Sequence, residues 1–350
     1  MRRYNRLVWL LILALICTGC KTNNAPSPTN SVSATKVTIA NQFGLAYAPV
    51  QIMKEKKLME KYLPGAQVEW VQLGTGPNIR DLMVTGQVDI GFMGISPFLI
   101  GWDKGAQWKI ATASGSQPLA LVTYKDNVKT IKDLGGSDKI ATPAIASIQQ
   151  MLLSMAAEKE LGNPRALDNQ MISLTHPDAA TSLLAKKDVT AHFSSPPYLF
   201  QELAAPGIHE VLNGEEAYGG EFTFIFGVAT NKFHDANPPA YAAFIAAFNE
   251  AVSFINNHPQ EAAAILAPVN NMTEADTYKS LTWAGTNYCS TPAGIMGLAE
   301  FMKSTGYISK VPAHLSEIAF ENVEAAIGKR YGSPSAIELL QQRKSGSDGQ

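Results

Sequence analysis

Few residues in this chain have the type and spacing that chemistry requires. Gly74-Thr75-Gly76 begins a glycine pattern, but Ile79 stands where the third glycine of a dinucleotide-binding loop belongs. Ser96 follows Gly94 as a nucleophile would, but Phe98 occupies the place of the second flanking glycine. Ser96 is therefore expected to be a helix N-cap whose hydroxyl could also bond a ligand. His176, His192, His209, His234, His258 and His314 show no i, i+4 pair and no acidic partner at metal spacing, so no metal site is expected. His192 reads as a strand residue of the core or its rim, beside a loop. Asp178 reads as a first-turn acid favoured by a helix dipole, and Asp89 as a strand residue. Arg80 could reach an anion but reads first as half of a surface ion pair. Phe43 and Tyr47 sit on the loop side of a strand and are candidate pocket walls. Phe98, Phe193, Tyr198, Phe222, Phe224 and Trp283 divide between core and rim. No nucleophile, base and orienting group fall together, so neither catalytic residues nor a cofactor are expected. What remains is non-covalent: hydroxyls, backbone amides and aromatic rings around a small molecule.

The elements that would position these groups alternate between strand-like and helical runs, which predicts an α/β fold with mostly parallel sheets. Strands are expected at Val37–Ala40, Gln67–Gln72 and Val88–Phe92. Helices are expected at Ala48–Tyr62, Asn78–Thr85 and Phe98–Trp102. One arrangement recurs: a strand ends, a Gly/Ser/Thr loop follows, and a proline opens the helix, at Pro49, Pro77, Pro97 and Pro197. Proline suits a first helical turn because its missing N–H would have had no intrahelical partner. Such loops at the carboxyl ends of strands place free amides and positive helix ends around one crevice. Two strands, Leu119–Tyr124 and Phe222–Ala229, bracket a stretch with its own alternation. That stretch has strands at Lys139–Ala141, Met171–Leu174 and Val189–Phe193 and helices at Ile148–Leu161 and Asp178–Ala185. A lobe inserted between two extended crossings predicts a two-strand hinge. Phe233–His258 and Glu274–Tyr307 should then supply helices to the first lobe.

Length and composition agree with two lobes. The 350 residues are 46% hydrophobic and 17% charged, a balance that fills two ordinary cores. The net charge is −2, and losing Arg2, Arg3 and Arg6 with a signal segment takes it to about −5, which disfavours a nucleic-acid partner. The segment 1–19 has a cationic start and an apolar run, Leu7–Ile16, that is short for a membrane span. It ends in Cys17-Thr18-Gly19-Cys20, which resembles a lipoprotein signal, with Cys20 acylated as the new N-terminus. An ordinary secretory cleavage or a retained anchor is the alternative. Lys21–Lys36 is polar enough to be a tether, and Lys344–Gln350 is a similar tail. Of three cysteines only Cys289 would then remain, expected as a small buried residue, and no internal disulfide is possible.

The order and spacing of several marks carry a resemblance from about Val37 to Glu321. They are Gly74-Thr75-Gly76-Pro77, Val88-Asp89-Ile90-Gly91-Phe92-Met93-Gly94 leading to Ser96-Pro97, Ile140-Ala141-Thr142-Pro143 to Ser147, and Pro177-Asp178-Ala179-Ala180 to Pro196-Pro197-Tyr198. Asn257-His258-Pro259-Gln260-Glu261-Ala262-Ala263 and Thr291-Pro292-Ala293-Gly294 to Gly306-Tyr307 complete them. Together they resemble the substrate-binding proteins of nitrate, sulfonate and taurine type ABC importers, which have the type II periplasmic-binding fold. The two bracketing strands place lobe one at 37–121 plus 226–330 and lobe two at 122–225, with a C-terminal helix and polar tail expected at 331–350. The resemblance implies ligand contacts from Gln42, Phe43, Tyr47, Thr75, Gly76, Gly94 and Ser96 in lobe one and from Ser147 and Ser195 in lobe two. Many relatives carry an acid before the Pro-Tyr motif, where this chain has Ser194-Ser195-Pro196-Pro197. The missing carboxylate favours an uncharged or anionic ligand (a sulfonate, oxyanion or heterocycle) over an amine. The partners implied are a permease with its ATPase and, through the lipid, a membrane. The expected setting is an exported monomer anchored on the periplasmic or outer face of a bacterial membrane. A lipid-anchored sensor is the alternative. An enzyme resembling the pyrimidine synthases of thiamine biosynthesis fits less well, because those are cytosolic and use a cysteine-rich motif.

Overall fold

The computed structural model describes residues 35–331. The expected signal segment, Cys20, nearly all of the tether and residues 332–350 lie outside the described residues. Ten strands form two five-stranded sheets. The first contains β1 (Lys36–Asn41), β2 (Gln67–Gln72), β3 (Ile90–Gly94), β4 (Trp108–Ala113) and β10 (Ile225–Thr230). The second contains β5 (Ala120–Thr123), β6 (Ile140–Thr142), β7 (Met171–Ser173), β8 (Ala191–Ser194) and β9 (His209–Asn213). The orders, β2-β1-β3-β10-β4 and β7-β6-β8-β5-β9, follow one scheme. In each sheet one strand next to the edge strand runs antiparallel to its neighbours, β10 in the first and β5 in the second. Each of these two follows directly on a chain crossing between the sheets.

Helices cover the sheet faces, so the central strands read as continuous apolar runs rather than alternating ones. All five residues of β3 are buried, whereas the edge strand β2 alternates between exposed and half-buried positions. Helix Pro238–Asn257 brings Phe244 and Phe248 against Phe92 of β3, with ring centroids 6.1 and 5.3 Å away. Each of these fully buried rings contributes on the order of 1.5–3 kcal/mol of burial. The second sheet has one apolar layer around Val122, Ala179, Leu183 and Leu199. Its opposite side, with Leu121, Ile140, Phe193, Ile148 and Met151, joins the first lobe's core in one continuous cluster.

The two crossings run at residues 114–119 and 214–224, a few positions before the expected lobe boundaries, which fall inside β5 and β10. They are bonded to each other: Ser114 N donates to Ile225 O at 2.8 Å, and Phe224 N to Gly115 O at 3.1 Å. Asn287 adds a third strand-like segment through reciprocal bonds with Ser116 of 2.9 and 3.0 Å.

Three expected helical stretches are divided. Ala48–Tyr62 becomes Ala48–Glu55 and Leu58–Tyr62 because Lys57 adopts a left-handed φ of 51°. Phe233–His258 breaks at Asn237 (φ −135°, ψ 58°), because the residue before a proline is excluded from the helical region. Glu274–Tyr307 holds two helices, Glu274–Leu281 and Ile295–Ser304, separated by an irregular run that includes the hinge contact at Asn287. Helix Glu321–Tyr331 lies at the end of the described chain. Cys289 is half-buried rather than buried, and its sulfur accepts from Thr291 N at 3.4 Å. Among the described residues no helix is long and apolar enough to cross a membrane.

Candidate functional site

The carboxyl ends of the parallel strands in both sheets face one cleft, whose empty space, counted together with the part open to solvent, is about 490 Å³. After β1, Gln42 and Phe43 enter its wall, and the Gln42 amide is held by a 3.3 Å bond from Nε2 to Phe92 O. Gly44 follows with φ 104°, a value open to glycine and costly for other residues. A Cβ there would stand 2.9 Å from Pro196 O of the second lobe. The next residue, Leu45, donates its N–H to that same Pro196 oxygen at 3.1 Å. Tyr47 lines the cavity, and burial drives its phenol well above the ordinary range.

Four helices begin at this cavity. Gly76 and Pro77 open Gly76–Val84, and Gly94 caps Ile95–Asp103, with Pro97 in its first turn. From the second lobe, Ser147 caps Ile148–Leu161 by accepting from Gln150 N at 3.3 Å, and His176 is the first residue of His176–Leu184. First-turn amides lack intrahelical acceptors, and the aligned peptide dipoles make these ends positive. Phe43, Ile148, Phe224 and Ile225 supply apolar wall, and Ser195 adds a hydroxyl after β8. Among the described residues, no Lys, Arg, Asp or Glu side chain is in the lining. The site therefore offers neutral donors, helix ends and apolar surface.

Further contacts join the lobes around this space. A Cβ on Gly74 would come within 2.9 Å of Thr175 Cγ2, so the two lobes touch there. Phe200 stacks on Trp283 at 4.3 Å between centroids. Arg165 Nη2 donates to Thr305 O at 3.0 Å, and its guanidinium lies 4.5 Å over the Tyr307 ring.

Seven expected contact residues come together here: Gln42, Phe43, Tyr47, Gly76, Gly94, Ser147 and Ser195. Two do not. Thr75 spends its hydroxyl on the N-cap of Gly76–Val84, accepting from Asn78 N at 3.3 Å. Ser96 is not the N-cap, because β3 runs to Gly94 and the helix starts at Ile95. It is fully buried outside the cavity wall, and its hydroxyl has no hydrogen-bond partner. Arg80 forms the expected surface pair, with Asp81 at 2.8 Å.

Sequence reasoning missed Gln149 and His176. His176 could have been found, since Thr175-His176-Pro177 after β7 repeats the strand, loop and proline pattern of the other four loops. The structure also gives His192 an acidic partner. Its Nδ1 lies 2.6 Å from Glu202 Oε1, its Nε2 2.9 Å from His176 Nδ1, and His176 Nε2 3.1 Å from the Gln149 amide. The chain is linear rather than convergent, and among the described residues no group could hold a metal ion. Burial, and then the charge of His192, holds His176 well below the ordinary imidazole range. Tyr198, stacked on His176 at 6.0 Å, is pushed up to about 12 by burial and then by the charge of Asp178.

Comparison with known proteins concerns the chain as a whole. The model of the NMT1-like family matches residues 31–270. A provisionally named aliphatic sulfonates-binding protein of Bacillus subtilis (strain 168) is 26% identical over 273 residues, 76% of this chain and 78% of the relative. The alkanesulfonate-binding protein of Xanthomonas axonopodis pv. citri, solved bound to MOPS, superimposes with a TM-score of 0.67 at 19% identity, covering 79% of this chain and 95% of that one. The periplasmic nitrate-binding protein of Synechocystis PCC 6803 gives 0.66 at 14% identity, covering 86% and 90%.

Proposed function

Since the chain belongs to the NMT1-like family, we propose that it is the solute-binding component of an ABC importer, which captures a small anion-headed molecule between its lobes and delivers it to a permease. One observation carries this reading. A cleft walled by both lobes receives four helix starts and, among the described residues, is lined by no Lys, Arg, Asp or Glu side chain. An anion at such a site is held by amides and hydroxyls that need no countercharge. The apolar wall suits a short uncharged tail. Alkanesulfonates have both parts, and two of the relatives named above are sulfonate-binding proteins by name.

A ligand that touches both lobes favours their apposed arrangement by its differential affinity for that state. Binding and release then need only hinge motion at the two crossings, with no covalent step. The expected role is non-enzymatic. The lipid on Cys20 would hold the protein at the membrane, with the polar tether giving it reach to the permease. Changing Cys20 to Ser should move the protein from the membrane fraction to the soluble one, and continued membrane retention would remove the anchor from the proposal.

The test of function is a thermal-shift screen of residues 21–350 against alkanesulfonates, MOPS, nitrate and neutral heterocycles. A ligand at a hundred times its dissociation constant adds about 2.7 kcal/mol of stability. Solution scattering on the best hit should show compaction. If none of these compounds stabilises the protein or compacts it, the proposal fails.

A further inference from the structure

The chain from Glu202 through His192 and His176 to Gln149 runs from the interior of lobe two to the cavity wall. Its members are 0, 0, 9 and 2% exposed. The helix that carries Glu202 contributes Leu199 to the lobe's apolar core, and Phe200 and Leu203 pack against that core. Glu202 Oε2 has no hydrogen-bond partner, and His192 is the only basic side chain paired with this acid among the described residues. Among the described residues the Gln149 side chain is bonded through Nε2 to His176 alone, and Gln149 lines the cavity.

Each neutral imidazole donates from one nitrogen and accepts at the other, so the three bonds share one direction. In the inward direction Gln149 N–H donates to His176 Nε2, His176 Nδ1–H to His192 Nε2, and His192 Nδ1–H to an ionised Glu202. This is the direction set by the placement of Gln149 Nε2 at the His176 ring. It leaves one negative charge buried without a cation and turns the amide oxygen of Gln149 toward the cavity. Adding one proton to the Glu202–His192 pair removes that charge, whichever partner carries it. His192 Nε2–H then donates to His176 Nδ1, and His176 Nε2–H to the Gln149 oxygen. A half-turn of the amide leaves its NH₂ group facing the cavity.

We propose that this chain positions Gln149, so that capture of an anionic head group takes up one proton from solvent and presents Gln149 as a donor to the ligand. The inference rests on the reading of the cavity as an anion site. A buried uncompensated charge is costly, and an arriving anion raises that cost, so proton and anion bind cooperatively. The other titratable groups facing the chain are Tyr198, stacked on His176, and Asp178, whose carboxylate accepts from Thr175 Oγ1 at 2.5 Å. His176 passes the direction along without itself becoming charged.

Calorimetry with ethanesulfonate in buffers of different ionisation heat, from about pH 5.5 to about 8.5, reads the coupling. The expected result is uptake approaching one proton at the upper end, with affinity falling by up to about tenfold per pH unit there. Glu202→Gln supplies either direction without a charge, so its uptake should vanish and its affinity should become independent of pH. Binding without proton uptake across the range, or uptake that persists in Glu202→Gln, overturns the proposal. Ring-nitrogen NMR of the ligand-free wild-type protein tests the chain alone. It should show His176 Nε2 bare at high pH and protonated at low pH, and a single tautomer throughout overturns the proposal as well. If no alkanesulfonate binds at any pH, the anion-site reading falls, and the NMR result still decides the direction of the chain.

Discussion

Gly74→Ala tests whether affinity depends on the lobes meeting. Gly74 stands in lobe one between β2 and the next helix, and the added Cβ would lie 2.9 Å from Thr175 Cγ2 of lobe two, where ordinary contact begins at 3.4 Å. The neighbour must therefore give by about half an ångström. Thr175 cannot rotate freely, because its hydroxyl donates to Asp178 at 2.5 Å. Overpacking of this kind costs about 1–2 kcal/mol, and only while the lobes touch. Affinity for an alkanesulfonate should therefore fall about 5- to 30-fold by calorimetry. Ligand-free stability should change by less than about 0.5 kcal/mol, since neither lobe's own core is altered. Thr175→Ser removes the obstructing methyl and keeps the hydroxyl. Combined with Gly74→Ala it should restore affinity, giving a coupling energy of about 1–2 kcal/mol in the double-mutant cycle. Unchanged affinity in the single variant, or a loss that Thr175→Ser does not relieve, would refute the reasoning.

Three further outcomes follow from particular side chains. Tyr47→Ala should weaken ligand binding at least tenfold, about 1.4 kcal/mol, whereas Ser96→Ala should leave it within about twofold, because the Ser96 hydroxyl is buried off the cavity with no partner. Titration calorimetry on both separates a wall residue from a neighbour in sequence. Asp138 is nearly buried, which raises its carboxyl. Hydrogen bonds from Lys125 and Gly135 N and the Lys125 charge outweigh that and lower it below the usual range. A lowered folded-state value stabilises above the unfolded value and is lost as pH falls through the folded one. Asp138→Asn should therefore cost about 1–3 kcal/mol at neutral pH by urea denaturation, with a smaller difference as pH falls below the ordinary carboxylate range. A difference that does not shrink on acidification would count against the paired carboxylate.

Much of this was legible because the relevant physics is local. Helix Ile148–Leu161 was readable to the residue, with Ser147 as cap and Gly162 just after it in a left-handed conformation. The proline-opened loops marked the strand ends that build the cavity, and seven of the nine expected contacts line it. What failed depended on register or on distant neighbours. Ser96 was misplaced because the strand lies two residues later than expected and passes straight into the helix at Ile95, which makes Gly94 the cap. β4 and β9 were not read as strands, since Trp108–Ala113 gains its place from β10 and from a bridge between Ile110 and Ala319, both over a hundred residues later. The link between His192 and Glu202 spans strand and helix, and no spacing rule exposes it.

The placement of β10 between β3 and β4 also sets the order in which the chain can mature. As residues emerge from a ribosome or a translocation channel, the first sheet has a vacancy between β3 and β4 until Ile225–Thr230 has appeared. The second sheet draws all its strands from one uninterrupted stretch, Ala120–Asn213, and can assemble while that vacancy persists. The inserted lobe is thus the earlier fold, and the lobe that begins the chain waits for its own last strand.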